Sequence, residues 1–435
     1  MYNSRVGRRF ASLLASLLML IATVSAQGSG KAKLSYKLLS IHVKGLNHFK
    51  EDQIVRASGL ELGRSVNERD FQSAVQRLGD TGLFTDLSYG YHYTTAGCDL
   101  DLQLTENDQL VPILFDNFVW FRDDELISLV HSRVPLFEGK LPLRGSISDQ
   151  VADALNTILA ERKILGHAEY IESAAMNGPM DSYLYQVKFH PVVVRNMEFP
   201  GAGTAELPAL QAAAKNLTGQ EYLRSMMQPH EKLDLLPVFL SRGYLKAQFA
   251  DSQAKVVEDG PRTVVDVNFP VSPGIQYRVA QVHWAGAAAF PAEKLQALIH
   301  LRQGEPANSI QLQDDLETVH KLYGTKGYLG AAVKPRPSLD DAAASVAYEL
   351  NVAEGDVFRM GELQIDGIDT KAAAELAAQW QIKKGDVYDD SYLKRFFQVM
   401  YHDIGLSRSY NVVPKQTIDY QEKTVTVALH FVPKK

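Results

Sequence analysis

The stretch LETVHKLYGTKGYLGAAVKP, residues 316–335, decides the fold that the sequence predicts. Apolar residues recur at helical spacing from its start to Tyr323, and Gly324 and Gly327 then end the helix. An extended run begins at Tyr328. The stretch therefore predicts the end of a helix, a glycine stop and the start of a strand.

The flanking sequence completes a small α/β unit. An alternating strand, YRVAQVHWAG (277–286), comes first, and a short apolar helix and a turn closing at Gly304 follow it. The second helix then leads into two alternating segments that are separated by a turn near Asp340. The predicted order is strand, helix, helix, strand, strand.

The same order recurs along the chain, which indicates an internal repeat. The segments LLSIHVKG (38–45) and FRMGELQIDG (358–367) begin two further units. The glycine that closes the inter-helix turn, where positive φ is favoured, recurs at spacings of 76, 80, 85 and 81 residues: Gly63, Gly139, Gly219, Gly304 and Gly385. We therefore predict five units, of which the second is the most divergent: 38–107, 108–190, 191–273, 274–355 and 356–435.

Counting the chain reversals predicts the sheet of each unit. The first and third strands run parallel and pair, while the two helices form a crossover layer on one face. The second strand pairs with the third as an antiparallel hairpin and lies at the edge. The predicted fold class is α+β: an elongated tandem array of five β-α-α-β-β domains, each with two helices on a three-stranded mixed sheet.

The N-terminus predicts an export signal. Arg5, Arg8 and Arg9 precede the apolar run FASLLASLLMLIATV, which ends in small residues. This pattern is typical of a cleavable secretory signal peptide over 1–26, followed by a linker over 27–37; the open alternative is an uncleaved membrane anchor. No later segment has eighteen uninterrupted apolar residues, so we expect no further spanning helix.

Composition and motifs disfavour nucleic-acid binding and catalysis. The 435 residues carry a net charge of −6 without a basic stripe, so nucleic acid is not an expected partner. The single cysteine, Cys98, excludes an internal disulfide and a thiolate metal cluster. Three fragments resemble catalytic or cofactor motifs but each lacks an essential member: Ser391 with Lys394, His230 with Asp234, and Gly201 with Gly203. We therefore expect no enzymatic activity, no metal and no cofactor.

The units together resemble a tandem array of POTRA domains, the β-α-α-β-β modules of BamA-type outer-membrane assembly factors. The resemblance rests on the strand entries YRVAQVHWAG and FRMGELQIDG, the turns LRQGEPAN and IKKGDVYD, and the helix ends GLF (82–84) and GYL (243–245 and 327–329). It implies a periplasmic protein at the inner face of the outer membrane. The implied partners are outer-membrane β-barrel proteins, their unfolded precursors or a separate barrel-type assembly protein. Because the sequence ends with the fifth unit, we expect no transmembrane barrel of its own.

The second strand of the first unit is the candidate binding edge. Leu87, Tyr89, Tyr91 and Tyr93 alternate along it, with no Lys, Glu or Pro to discourage pairing. An extended guest strand can pair with such a backbone while the tyrosines contact alternate side chains; the alternative is that a neighbouring segment covers the edge. In the fifth unit, Pro414 removes a donor from the equivalent strand.

The leading functional hypothesis is a non-enzymatic scaffold that binds polypeptides or a barrel partner by β-strand addition. One alternative is a docking subunit of an envelope complex that does not bind clients. An exported hydrolase is the other alternative, which the absence of a catalytic constellation disfavours.

Overall fold

The computed structural model describes most of the chain, over residues 35–174, 179–403 and 409–434. The predicted signal peptide over 1–26 and the linker to residue 34 lie outside the described residues. Within the described part of the chain, no helix is both long and apolar enough to cross a bilayer.

The first compact unit runs through Gln109 and includes Arg144–Ser146. Its elements are β1 (Tyr36–Lys44), α1 (Glu51–Ser58), β2 (Ser65–Val66), α2 (Glu68–Asp80), β3 (Phe84–Tyr93) and β4 (Cys98–Glu106). The sheet order is β2-β1-β4-β3, in which β1 is parallel to β4 and β3 is antiparallel to it. The strand β3 therefore lies at the edge of the sheet.

Local sequence explains why α2 begins where it does. The Asn67 side chain accepts a hydrogen bond from the Arg69 N–H at 3.0 Å, and the Asp70 side chain accepts one from the Asn67 N–H at 2.8 Å. This capping box satisfies backbone donors that the first turn leaves free. Buried apolar residues then recur at helical spacing from Phe71 to Leu78 and fix the helix on the sheet.

The second compact unit contains Leu110–Leu143 and the described residues from Ile147 onward. Its first group of elements is β5 (Leu110–Phe115), α3 (Asp123–His131), β6 (Lys140–Pro142), α4 (Ile147–Glu161), β7 (His167–Ala174) and β8 (Met180–Lys188). The next group is β9 (Val192–Glu198), α5 (Leu207–Ala214), α6 (Arg224–His230), α7 (Leu236–Leu240), β10 (Gln248–Phe249), β11 (Gln253–Asp259), β12 (Thr263–Asn268) and β13 (Val271–Ser272). A π-helical turn over Glu231–Leu235 joins α6 to α7.

Two further groups complete the second compact unit. One is β14 (Arg278–Ala285), α8 (Ala292–Gln296), α9 (Ser309–Gly324), β15 (Ala332–Asp340) and β16 (Ser345–Ala353). The other is β17 (Arg359–Asp366), α10 (Thr370–Gln379), α11 (Tyr392–Asp403), β18 (Tyr410–Asp419) and β19 (Thr424–Pro433).

The larger sheets share one strand order. In the first compact unit the order of the long strands is β1-β4-β3, and in the second the orders are β5-β8-β7, β9-β12-β11, β14-β16-β15 and β17-β19-β18. In each of these orders the central strand is parallel to the strand named first and antiparallel to the strand named last. The chain is thus an α+β protein with mixed sheets, as predicted.

The cores lie between the sheets and their helices. On β16, Val346, Tyr348 and Leu350 alternate inward, and each is at most 4% exposed. On β19 the buried residues follow the same period of two, from Val425 to Phe431. The period of two places these side chains on one face of each sheet. That face is buried against the helices, which explains why apolar residues alternate in the sequence.

Candidate binding edge

The candidate site is the free edge of β3. At the hairpin turn, the Thr94 N–H donates to the Gly97 carbonyl at 2.8 Å, and the Gly97 N–H donates to the Thr94 carbonyl at 3.3 Å. Hydrogen-bonded and non-hydrogen-bonded pairs alternate along an antiparallel ladder, so the even-numbered residues of β3 bond to β4. The odd-numbered residues direct their backbone N–H and C=O groups to the open edge: Leu87, Tyr89, Tyr91 and Tyr93.

The three tyrosines supply consecutive outward donors. The Leu87 N–H, which also faces outward, donates to the Asp86 side chain at 3.0 Å. Tyr89, Tyr91 and Tyr93 follow at every second position along the edge. A guest strand laid along β3 would meet this row of backbone groups.

The side chains of these residues form an aromatic row beside α2. The Phe71 ring lies 5.4 Å from the Tyr91 ring and 6.2 Å from the Tyr89 ring, while Tyr91 and Tyr93 lie 4.9 Å apart, measured between centroids. Tyr91 and Tyr93 each remain 36% exposed. Burial, reinforced by neighbouring Tyr91, raises the pKa of Tyr93 to about 12, so its hydroxyl is a neutral hydrogen-bond donor at pH 7. The row combines apolar ring faces with hydroxyl groups along one edge.

Prolines remove backbone donors from the equivalent edge strands of two other sheets. The edge strand β15 contains Pro335 and Pro337, and the edge strand β18 contains Pro414 opposite Leu429. Proline has no N–H, so it is accommodated where the backbone faces away from the ladder. These edges therefore lack donors that β3, which contains no proline, retains.

The glycines of the predicted inter-helix turns have a common conformation. Their φ angles lie between +82° and +90°: Gly63, Gly139, Gly219, Gly304 and Gly385. All except Gly139 donate their N–H, at 2.7–2.8 Å, to a carbonyl of the first strand of their own group; the acceptors are Leu38, Val194, Val279 and Met360. Each of these four turns is therefore hydrogen-bonded to the first strand of its group and also reverses the direction of the chain.

The fragments that resemble catalytic motifs have local contacts. The Ser391 hydroxyl donates to the Asp389 carboxylate at 2.6 Å, and the His230 ring lies 2.8 Å from the Asp234 carboxylate one helical turn away. A Cβ at Gly201 would lie 2.1 Å from the Val271 carbonyl oxygen, so this glycine permits a close approach between the turn after β9 and the strand β13. Among the described residues, no group of three or more ligands that could hold a metal ion occurs.

A buried carboxylate that no motif predicted joins two groups of elements in the second compact unit. Asp116, which is 1% exposed, accepts hydrogen bonds from the Gln186 side chain at 2.7 Å and from the Ser225 N–H and hydroxyl at 2.6 and 2.9 Å. Ser225 lies in the first turn of α6, whose own N-cap residue, Leu223, provides no side-chain cap. A carboxylate from the loop after β5 therefore caps a helix of the next group. The available sequence signal was an acidic residue directly after the apolar strand VPILF.

Comparison with known proteins places this geometry in context. The POTRA family model, described as surface antigen variable number repeat, matches residues 277–355. A putative outer membrane protein assembly factor of Treponema pallidum is 25% identical over 170 residues, which are 38% of this chain and 20% of that protein. The outer membrane protein assembly factor BamA of Nitratidesulfovibrio vulgaris is 28% identical over 373 residues, which are 82% of this chain and 46% of that protein. The chain therefore spans less than half the length of these two curated relatives.

Among solved structures, POTRA domains 3–5 of Haemophilus influenzae BamA align with 56% of this chain and 96% of that structure, at 20% identity and a TM-score of 0.44. The family match falls on the group from β14 to β16, including α8 and α9. Residues 277–355 thus match the POTRA family, and the chain around them resembles the BamA-type outer membrane protein assembly factors.

Proposed function

We propose that the chain is a tandem array of five POTRA-like modules, with the boundaries predicted above, that acts in the periplasm in outer membrane protein assembly. The POTRA match supports this reading for the fourth module, and the shared strand order supports it for the others. The assembly role rests on the similarity of the chain to two outer membrane protein assembly factors.

A close backbone contact that recurs in four modules also supports the array. In four modules a glycine with positive φ follows the first strand, and a Cβ on it would lie 1.9–2.5 Å from a carbonyl oxygen of the strand that ends the module. These glycines and the residues that they approach are Gly45 and Leu104, Gly201 and Val271, Gly286 and Val352, and Gly367 and Phe431. A recurring backbone contact of this kind is expected of repeated modules and not of unrelated α/β segments.

Within this array, the edge of β3 binds extended segments of unfolded outer-membrane polypeptides by strand addition. One observation carries this proposal: the residues of β3 whose backbone groups point outward are the same residues that form the tyrosine row. The backbone supplies sequence-independent hydrogen bonds, and the tyrosines contact every second side chain of the guest. Tyr89, Tyr91 and Tyr93 would be the central contacts.

The test replaces one outward donor. In Tyr91→Pro the outward N–H is lost at a position where an edge strand tolerates proline, so the ladder to β4 remains. We expect crosslinking to an unfolded β-barrel precursor, from a photo-crosslinker at the exposed turn residue Thr95, to fall about fivefold, because one hydrogen bond and one ring contact are lost.

The matched control is Gln416→Pro, at an exposed outward position of β18. We expect this variant to crosslink like the unaltered protein. Unchanged crosslinking of a folded Tyr91→Pro variant, or an equal loss in both variants, would count against strand addition at β3. Stoichiometric copurification of a barrel protein without unfolded clients would favour the docking subunit instead.

A further inference from the structure

The loop after β5, residues 116–122, is anchored within the second proposed module. The Asp116 N–H donates to the Tyr185 carbonyl of β8 at 2.8 Å. The Asn117 side chain, which is fully buried, donates to the Val187 carbonyl at 3.0 Å and accepts a hydrogen bond from the Val187 N–H at 2.7 Å. These hydrogen bonds fix the start of the loop on β8, so the loop moves with that sheet.

The same loop is bonded to the third proposed module through Asp116. The buried carboxylate accepts hydrogen bonds from the Ser225 N–H and hydroxyl. The Asp116 carbonyl accepts a further hydrogen bond from the Arg224 N–H at 3.0 Å. One residue therefore bonds to β8 on one side and to the first turn of α6 on the other.

Apolar packing continues across this junction. Val119 and Trp120 come from the loop of the second module, and both pack against the hydrophobic core of the third module. The Trp120 Nε1–H donates to the Asp259 carboxylate, at the end of β11, at 3.2 Å. Separating the two modules would expose this apolar surface to water, which is unfavourable.

An exposed ion pair lies beside the buried carboxylate. Arg224 Nη1 is 2.6 Å from Asp123 Oδ2, and the two side chains are 37% and 50% exposed. Ion pairs of this kind contribute little and are screened by salt. Breaking the hydrogen bonds of Asp116, in contrast, would leave a buried charge without partners, which is costly at any ionic strength.

We propose that Asp116 holds the second and third proposed modules in one fixed orientation, so that they move as a single rigid body. Val119 and Trp120 keep the two modules in contact, and the carboxylate sets the angle between them because its donors come from both β8 and α6. A fixed angle means that a partner contacting both modules pays no ordering cost at this junction. The inference concerns the coupling of neighbouring modules and does not depend on strand addition at β3.

Double electron–electron resonance on the full chain tests this coupling. Nitroxide labels on Ala160→Cys in α4 and Ala212→Cys in α5, both exposed positions, report the distance between the two modules. The buried Cys98 is replaced by Ala in every sample. The unaltered junction should give one narrow distance distribution, and Asp116→Ala should broaden it at least about twofold, because β8 and α6 lose their common acceptor.

The matched control is Asp124→Ala, whose carboxylate is 68% exposed and pairs with Arg122 on the surface. We expect this variant to keep the narrow distribution. Ser225→Ala removes one donor without removing the buried carboxylate, so it should broaden the distribution less than Asp116→Ala and serves if that variant unfolds. Amide hydrogen exchange in β8 and β12 verifies that both modules of each variant remain folded.

Salt separates the buried carboxylate from the exposed ion pair. In about 1 M NaCl the unaltered distribution should stay narrow, because the hydrogen bonds of Asp116 are not screened. Broadening by salt to the width of Asp116→Ala would assign the junction to Arg224 and Asp123 and overturn the proposal. A broad distribution in the unaltered chain, or a narrow one in folded Asp116→Ala and Ser225→Ala, would also overturn it.

Discussion

At the scale of single residues, two glutamates close equivalent loops. Glu106, at the end of β4, has a side chain that is 5% exposed and accepts backbone hydrogen bonds from Asn47 at 2.8 Å and Phe49 at 3.2 Å. In the group from β14 to β16 Glu354 accepts hydrogen bonds from the Ala288 and Ala289 N–H groups, both at 2.7 Å. Each carboxylate lies at the end of the last strand and holds the loop that follows the first strand. The loops are thus tied by charge-assisted hydrogen bonds.

The Glu106 carboxylate should make stability depend on pH. Burial alone raises its pKa, but hydrogen bonds from Asn47, His48 and Phe49 outweigh burial and lower the pKa below its ordinary value. The stabilisation is therefore present above the unfolded-state pKa, about 4.3, and is lost as the pH falls through the lower folded-state value. We expect Glu106→Gln to lower the free energy of unfolding at pH 7 by about 1–3 kcal/mol.

Urea unfolding at pH 7 and at about pH 3 checks this prediction, since the difference between the variant and the unaltered protein should shrink at the lower pH. The control is Glu61→Gln, whose carboxylate is 61% exposed and pairs with Arg64 on the surface. That change should cost less than about 0.5 kcal/mol. A Glu106→Gln effect of the same size at both pH values would contradict the assignment.

At the scale of elements, local sequence predicted much of the fold. The helical spacing that ends at Tyr323 and the alternation of the flanking strands are local patterns, and the mixed α+β sheets followed from them together with the count of chain reversals. The outward direction of the β3 backbone was not predictable, because it depends on which residues pair across the hairpin at Thr94. The cap that Asp116 provides to α6 was not predictable either, because its partners are 70 and 109 residues away.

The glycines of the two GYL helix ends connect one group of elements to the next, and this connection can be tested. Gly327 has φ of +79°, its carbonyl accepts a hydrogen bond from the Phe358 N–H at 2.8 Å, and a Cβ on it would lie 2.6 Å from the Phe358 carbonyl oxygen. Gly243 makes the same hydrogen bond, at 2.8 Å, with the Tyr277 N–H. In each case the glycine after the helix accepts a hydrogen bond from the segment that begins the next group of elements.

We expect Gly327→Ala to lower the free energy of unfolding by about 1–3 kcal/mol, because it combines an unfavourable φ with a backbone clash. Gly330→Ala is the matched control three residues away, where a Cβ would meet nothing within 4 Å. Thermal unfolding and limited proteolysis of both variants distinguish them. Equal effects of the two substitutions would show that the junction does not depend on this contact.

At the scale of the whole molecule, the proposed modules share a fold but present different edges. The strand β3 keeps its outward donors and carries tyrosines, whereas β15 and β18 contain prolines. A repeat built on one topology can therefore offer distinct surfaces through a few substitutions at edge positions. On the proposal of strand addition, the first module binds extended chains through β3.

The most direct test of strand addition is amide hydrogen exchange of the full chain, followed by NMR, with and without an unfolded β-barrel precursor peptide. If strand addition occurs at β3, bound peptide should slow exchange at Tyr89, Tyr91 and Tyr93 by about fivefold or more, because their outward N–H groups gain acceptors. Exchange at Ser88, Gly90 and His92, which already bond to β4, should change little. Slowing confined to β15 or β18, or no slowing at the three tyrosines, would show that the peptide does not add to β3.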